Sequence, residues 1–334
     1  MKTKPKVAMI GTGGSISTPG RHSLDLYEYS DYGPPVEIDE LLALFPEVGA
    51  QADIEPVRFR TIPGTAITSL DWIELAELIN KIGNARQPPA GIVIAHGTAT
   101  IEETAYFLNL TVKTTIPVVL VGAQRPPNVL SSDAGVNLVN AVRVAMSTSA
   151  RALGVLVILN DEIQAAREVT KGSTHRLETM RSHDLGMLGY ADPDGNVVIY
   201  RSPTRKRAPD TEFDVHGRTD LPRVGIAYSH AGADGTVIDA LAAAGFDAIV
   251  SAGQAPGKLT PSEDTALARA HRGGIVIVQS SRAGSGRVLE RTKLREKGYV
   301  AADNLNPQKA RILTMLALTI SRDQTVIQRM FREY

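Results

Sequence analysis

Short β-branched runs recur along the chain, each closed by a glycine-bearing turn and followed by a stretch with apolar residues at helical spacing. The runs are Lys6 to Ile10, Gly91 to Ala95, Pro117 to Val121, Gly154 to Leu159, Val224 to Tyr228, Ala248 to Ser251 and Gly274 to Gln279. Continuous apolar runs of this kind predict strands buried on both faces, as in parallel sheets. Asp71 to Ile82, Ile101 to Leu110, Asn137 to Met146, Ala233 to Ala244 and Pro307 to Thr319 predict amphipathic helices between them. The alternation predicts an α/β protein with a mainly parallel sheet covered by helices. From Arg205 to Pro222 the pattern lapses into polar residues punctuated by Pro and Gly, which reads as a linker. Two α/β domains are therefore expected, a larger one over 1–204 and a smaller one with its own parallel sheet over 223–334. A chain of 334 residues can bury a core in each.

Charge narrows the range of partners. Lys+Arg and Asp+Glu both number 36, so no basic field exists to hold a nucleic acid or an anionic membrane. The absence of cysteine removes disulfides, thiolate catalysis and cysteine-ligated metals together. No apolar run is long enough to span a bilayer, and the four apolar residues after the basic start are too few for a signal-peptide core. A cytoplasmic protein acting on a small molecule is the expectation.

Candidate chemistry gathers where strands end. The first strand runs into Gly11-Thr12-Gly13-Gly14-Ser15-Ile16, a hydroxyl in a glycine-rich turn at the carboxyl end of a strand, where open α/β sheets bind ligands. Glycines there let backbone N–H groups approach a phosphate or an oxyanion. A plain tight turn explains the same spacing. The full Gly-x-Gly-x-x-Gly fingerprint of a nucleotide site is absent. A second strand ends in His96-Gly97-Thr98-Ala99-Thr100-Ile101-Glu102-Glu103, where Thr100 and Glu103 have capping-box spacing and Thr98 is left on the loop side. Two hydroxyls at one crevice suggest acyl transfer, which needs a base to activate the nucleophile. Lys171, downstream of the strand ending at Leu159, is a candidate. The seven histidines show no metal-ligand spacing, and neither a metal nor an organic cofactor is required.

The segments Thr12-Gly-Gly-Ser-Ile, His96-Gly-Thr-Ala-Thr-Ile-Glu-Glu-Thr-Ala-Tyr-Phe-Leu, Val121-Gly-Ala-Gln-Arg-Pro, Leu159-Asn-Asp through Val169-Thr-Lys, Leu188-Gly-Tyr, Ile249-Val-Ser-Ala-Gly and Leu305-Asn-Pro-Gln-Lys-Ala-Arg together resemble the bacterial L-asparaginase/glutaminase family from end to end. The resemblance implies an amidohydrolase, a homotetramer of intimate dimers and active sites completed across the dimer interface. It implies Thr12 as nucleophile, Thr98 and Lys171 as its hydrogen-bonded support, and an assisting tyrosine on the loop after the first strand. Tyr27, Tyr29 and Tyr32 crowd that loop, and Tyr29 is favoured. Backbone N–H groups near Thr12 and Thr98 would hold the oxyanion.

The chain departs from the family where an amino-acid substrate is recognised. The family writes His-Gly-Thr-Asp-Thr where Ala99 stands here. Its serine and polar partner for the α-carboxylate fall near Gly64 and Thr65, an interface asparagine falls on Gly232, and the neighbouring subunit's acid falls within Glu290-Arg291-Thr292-Lys293. These changes cluster on the groups that hold an ammonium and a carboxylate, which points to altered specificity. The expectation is a threonine amidohydrolase that passes through an acyl-enzyme. Its substrate would be a small amide, lactam or imide, with free L-asparagine a poor one. An L-asparaginase with an Asp-to-Ala catalytic lesion and a non-catalytic small-molecule sensor on the same fold are the alternatives.

Overall fold

A computed structural model describes residues 3–334, which divide into two compact units, the first ending at Gly217 and the second running from Arg218 to Tyr334. The first unit is built on strands β1 (Lys6–Gly13), β2 (Asp53–Ile62), β3 (Gly91–Ala95), β4 (Val118–Val121), β5 (Val155–Leu159), β6 (Glu162–Ala165), β7 (Thr170–Lys171), β8 (Met180–Arg181), β9 (Gly189–Ala191) and β10 (Val197–Ile199). Its helices are α1 (Ile38–Ala43), α2 (Pro46–Gln51), α3 (Ser69–Gly83), α4 (Ile101–Thr111) and α5 (Ala134–Met146).

Eight of these strands form one sheet in the order β10-β9-β6-β5-β4-β3-β1-β2, while β7 and β8 pair separately. The pairs from β2 through β5 are parallel, and β6, β9 and β10 add antiparallel strands at one edge. The chain leaves β1 toward β2 on one side and continues through β3, β4 and β5 on the other. That reversal opens a crevice beyond the carboxyl ends of β1 and β3, the usual ligand position in such sheets.

Alternate strand residues feed the two helical layers. Val7, Met9, Val93, Val119, Val121, Leu156 and Ile158 pack with Leu138, Ala141, Val142 and Ala145 of α5 in one buried cluster. Helices α3 and α4 pack together, with Trp72 stacked on Phe107 at 5.4 Å and its indole N–H donating to Thr104. Helix α3 starts with a complete capping box between Thr68 and Asp71, worth about 1 kcal/mol. The box expected at Thr100 and Glu103 does not form, because the Thr100 side chain makes no capping bond and its hydroxyl instead donates to the Gly64 carbonyl at 2.6 Å.

The segment expected as a linker is divided between the units. Up to Gly217 it lies with the first one: Ala208 N–H donates to Asn109 O, Thr211 Oγ1 to Leu110 O, and Lys113 Nζ to Thr211, while Phe213 and Val215 are buried. Its polar residues close the carbonyls at the end of α4, so a stretch without helical or strand periodicity is held in place.

The second unit contains β11 (Val224–Tyr228), β12 (Ala248–Gly253), β13 (Val276–Ser281) and β14 (Val300–Ala301), all parallel and in that order. Helices α6 (Thr236–Ala243), α7 (Pro261–Arg272), α8 (Thr292–Glu296), α9 (Pro307–Ala317) and α10 (Gln324–Glu333) accompany them. Ile238, Ala266, Leu267, Ile249 and Ile277 belong to its own core. Among the described residues no helix is long and apolar enough to cross a membrane.

Candidate active site

Three loops meet at the crevice of the first unit because three glycines let them. Gly14 has φ +82°, and a Cβ there would come within 2.2 Å of Gly97 Cα. A Cβ on Gly97 would come within 2.6 Å of Gly64 Cα. Neither approach is open to a residue with a side chain. The backbone contact draws together the loops after β1, β2 and β3, and the Thr100 hydroxyl on Gly64 O fastens the second to the third.

These loops line a cavity of about 450 Å³, a size that suits a small molecule. Tyr29, Gly64, Thr65, Thr98, Ala99 and Lys171 all lie on its wall. Of the three loop tyrosines only Tyr29 is there; Tyr27 is exposed, and the Tyr32 ring lies under the Arg21 guanidinium at 3.7 Å. Ser15, Thr18, Asp31 and Thr61 are further polar lining residues that the sequence reading did not single out. Thr12 is buried behind this surface, and its Oγ1 donates to the Ala95 carbonyl at 2.9 Å, across the β1–β3 seam.

A hydrogen-bonded triangle closes one side of the cavity. Lys171 Nζ donates to Thr98 Oγ1 at 2.7 Å and to Gln124 Oε1 at 2.9 Å, while Thr98 Oγ1 donates to the same Gln124 oxygen at 3.1 Å. Among the described residues no carboxylate lies within ion-pair distance of Lys171, and partial burial holds its pKa below the usual lysine value. Its backbone is pinned from α4: Thr170 Oγ1 and the Lys171 N–H both donate to Glu102 Oε1. The loop carrying Gln124 is pinned from the start of α5, where Asp133 accepts from the N–H groups of Gln124 and Arg125. Gln124, Glu102 and Asp133 were missed in the sequence. Gln124 could have been found by the rule that selected Thr12 and Thr98, since it follows the carboxyl end of β4.

His96 directly follows β3 and is buried. Desolvation pushes its pKa down to about 4, and its Nε2 has no hydrogen-bond partner. No group of three or more His, Cys, Asp or Glu residues suited to a metal occurs among the described residues.

The residues compared with the family's other site positions lie in the second unit. Gly232 adopts φ +77° in the turn after β11, Glu290 pairs with Arg332, and Arg291 and Lys293 line a separate cavity of about 390 Å³ with Gln279 and Tyr299.

Residues 6–205 match the model of the asparaginase N-terminal domain, and residues 223–331 match the glutaminase/asparaginase C-terminal domain. This chain belongs to the asparaginase family. It is 39% identical to L-asparaginase 2 of Escherichia coli strain K12 over 99% of this chain and 93% of that protein. Identity to L-asparaginase 2 of Bacillus subtilis strain 168 is 38%, over 100% and 88% of the two chains. The crystal structure of a probable cytoplasmic L-asparaginase from Campylobacter jejuni superposes with a TM-score of 0.94 at 37% identity, covering 99% of this chain and all of the other. As an asparaginase-family enzyme the protein is an amidohydrolase acting on a small amide through a carbon–nitrogen bond other than a peptide bond.

Proposed function

We propose that this amidohydrolase cleaves a small amide, lactam or imide that carries no free α-ammonium group, with L-asparagine a poor substrate. The wall of the cavity carries this reading. Its charged lining residues are Lys171 and the exposed loop residue Asp31, and it presents Ala99, Gly64 and Thr65 where the family's pattern would recognise an amino acid. An incoming ammonium at residue 99 forgoes a charge-assisted contact of about 1.5 to 3 kcal/mol, roughly a ten- to hundredfold loss in binding.

In the proposed reaction the Thr12 hydroxyl leaves the Ala95 carbonyl and attacks the substrate carbonyl carbon. Its proton passes to Tyr29, or through Thr98 to Lys171, and is delivered to the departing nitrogen as the carbon–nitrogen bond breaks. Water then hydrolyses the ester on Thr12, releasing the acid and restoring the hydroxyl. A second reading makes Thr98 the nucleophile and Lys171 its base. It is favoured by the 2.7 Å contact between them and by the position of Thr98, unlike Thr12, on the cavity wall.

The test is a hydrolysis panel of asparagine, glutamine, their N-substituted forms, dicarboxylic monoamides and cyclic imides, run with wild type, Thr12→Ala, Thr98→Ala and Ala99→Asp. Thr12→Ala is expected to lower kcat/KM on the best substrate by at least about 10⁴. Ala99→Asp is expected to raise activity on asparagine while lowering it on the best substrate. Rapid quench followed by peptide mapping locates the acyl group, and an acyl group on the Thr98 peptide selects the second reading. Efficient hydrolysis of asparagine by the wild type overturns the substrate assignment. A gain on every substrate with Ala99→Asp identifies the alanine as a catalytic lesion, and tight binding without turnover identifies a sensor. Cytoplasmic residence is part of the proposal and is checked by cell fractionation.

A further inference from the structure

We infer that Gln124 is the positioning residue of the Thr98–Lys171 pair, a neutral acceptor that holds the lysine amine on the threonine hydroxyl where residue 99 supplies no polar group. Its catalytic meaning rests on the function proposed above; the geometry does not.

A lysine side chain has a long flexible stem and three N–H donors, so it stays on one partner only if further acceptors fix its head. Among the described residues Nζ has two partners, Thr98 Oγ1 and Gln124 Oε1. The Gln124 oxygen also accepts from Thr98, so one atom ties base and hydroxyl together. The amide is itself oriented. Its Nε2 donates to the carbonyls of Arg176 at 2.9 Å and Thr174 at 3.4 Å. A flipped amide would set its oxygen against both carbonyls and its N–H group against the ammonium, so the assignment follows from the partners. Gln124 thereby joins three loops, those carrying Thr98, Gln124 and Lys171.

An amide oxygen positions an ammonium without a counter-charge, which a carboxylate would supply. The other titratable or charged groups near Lys171 include Glu102 of α4, Asp133 at the start of α5, Asp31 and Tyr29 on the loop after β1, His183 against Gly172, Arg176 on the loop after β7, and Arg181 of β8, which stands opposite Thr170 and pairs with Glu178. None of them bonds Nζ. With Gln124 as its only side-chain acceptor besides Thr98 among the described residues, half-buried Lys171 is held in register while partial desolvation loosens its proton.

The test is competitive labelling of Lys171 by trace acetic anhydride across pH, read by mass spectrometry in wild type, Gln124→Glu and Gln124→Met. The pH dependence of kcat/KM is measured on the best amide alongside. Gln124→Glu is expected to move the Lys171 titration up by about one to two pH units, as a carboxylate neighbour should, and to carry the acid limb of kcat/KM with it. Gln124→Met keeps the volume and removes the acceptor. It should lower kcat at least about thirtyfold while changing KM little. A Lys171 titration unmoved in Gln124→Glu, with thermal melting showing intact protein, overturns the inference, as does wild-type kcat in Gln124→Met. Labelling needs no turnover, so an enzyme inactive on every amide would refute the functional proposal and still leave the role of Gln124 decided by its Lys171 titration.

Discussion

His96 shows how burial alone can take a side chain out of the chemistry it stands beside. It directly precedes Gly97 and Thr98, yet a folded-state pKa of about 4 keeps its imidazole neutral through the physiological range. Its Nδ1 contacts the Gly97 carbonyl at 2.9 Å, which ties the ring to the loop rather than to a substrate. The unfolded chain binds a proton at His96 below the ordinary value of 6.5, whereas the folded chain refuses it until about 4. Stability is therefore unaffected by this group above about pH 6.5. It falls as pH drops from there toward 4, by at most about 3 kcal/mol. Urea midpoints of wild type and His96→Gln between pH 7.5 and 4.5 should show a shallower decline in the variant. Equal slopes would mean that the imidazole is protonated in place. In the sequence this residue is a histidine at a strand end, and its neutrality depends on atoms packed around it from elsewhere.

At the scale of elements, the site exists because turns of three different strands can touch. Their glycine contacts predict a position-specific effect. In Gly97→Ala the new methyl meets Gly64 Cα at 2.6 Å and Gly14 Cα at 3.2 Å, both backbone atoms that cannot swing aside. The loops must part, with an expected cost of about 1 to 3 kcal/mol and a loss in kcat/KM of about a hundredfold or more from misplaced groups. Gly49→Ala in α2, where nothing lies within 4 Å, should be neutral or stabilising by up to about 1 kcal/mol. Denaturant midpoints and kcat/KM of the two variants check this, and similar behaviour of both would refute the role of the three-glycine contact. The buried parallel strands and the helices named from the sequence were legible, because apolar runs and helical periodicity are local, whereas β2 was not, because its side chains are half-buried or exposed and form no apolar run. The capping box at Thr100 was misread because spacing cannot show that a hydroxyl has a better acceptor in another loop.

For the whole molecule, zero formal charge and a core in each unit leave the assembly state open. We propose the homotetramer that the family resemblance implies. Leu24, Leu26, Tyr27 and Leu130 support it as exposed apolar residues beside the cavity loop, with Leu130 N–H donating to Ser23 O. Light scattering at micromolar concentration should give four times the 35.8 kDa chain mass, and a monomer would remove the shared-site geometry.

The sequence by itself determined the α/β class, the strand-end turns that carry Thr12 and Thr98, and the amino acids missing from the pocket. The first two are written in short runs of residues, and the third is what the family resemblance implies at Ala99, Gly64 and Thr65. Only the tertiary structure decided which oxygen faces Lys171. Gln124 lies 26 residues from Thr98 and 47 from Lys171, and the register of separate strands brings the three together. No local pattern records that distance, because it is set by how the sheet is ordered and how its loops pack.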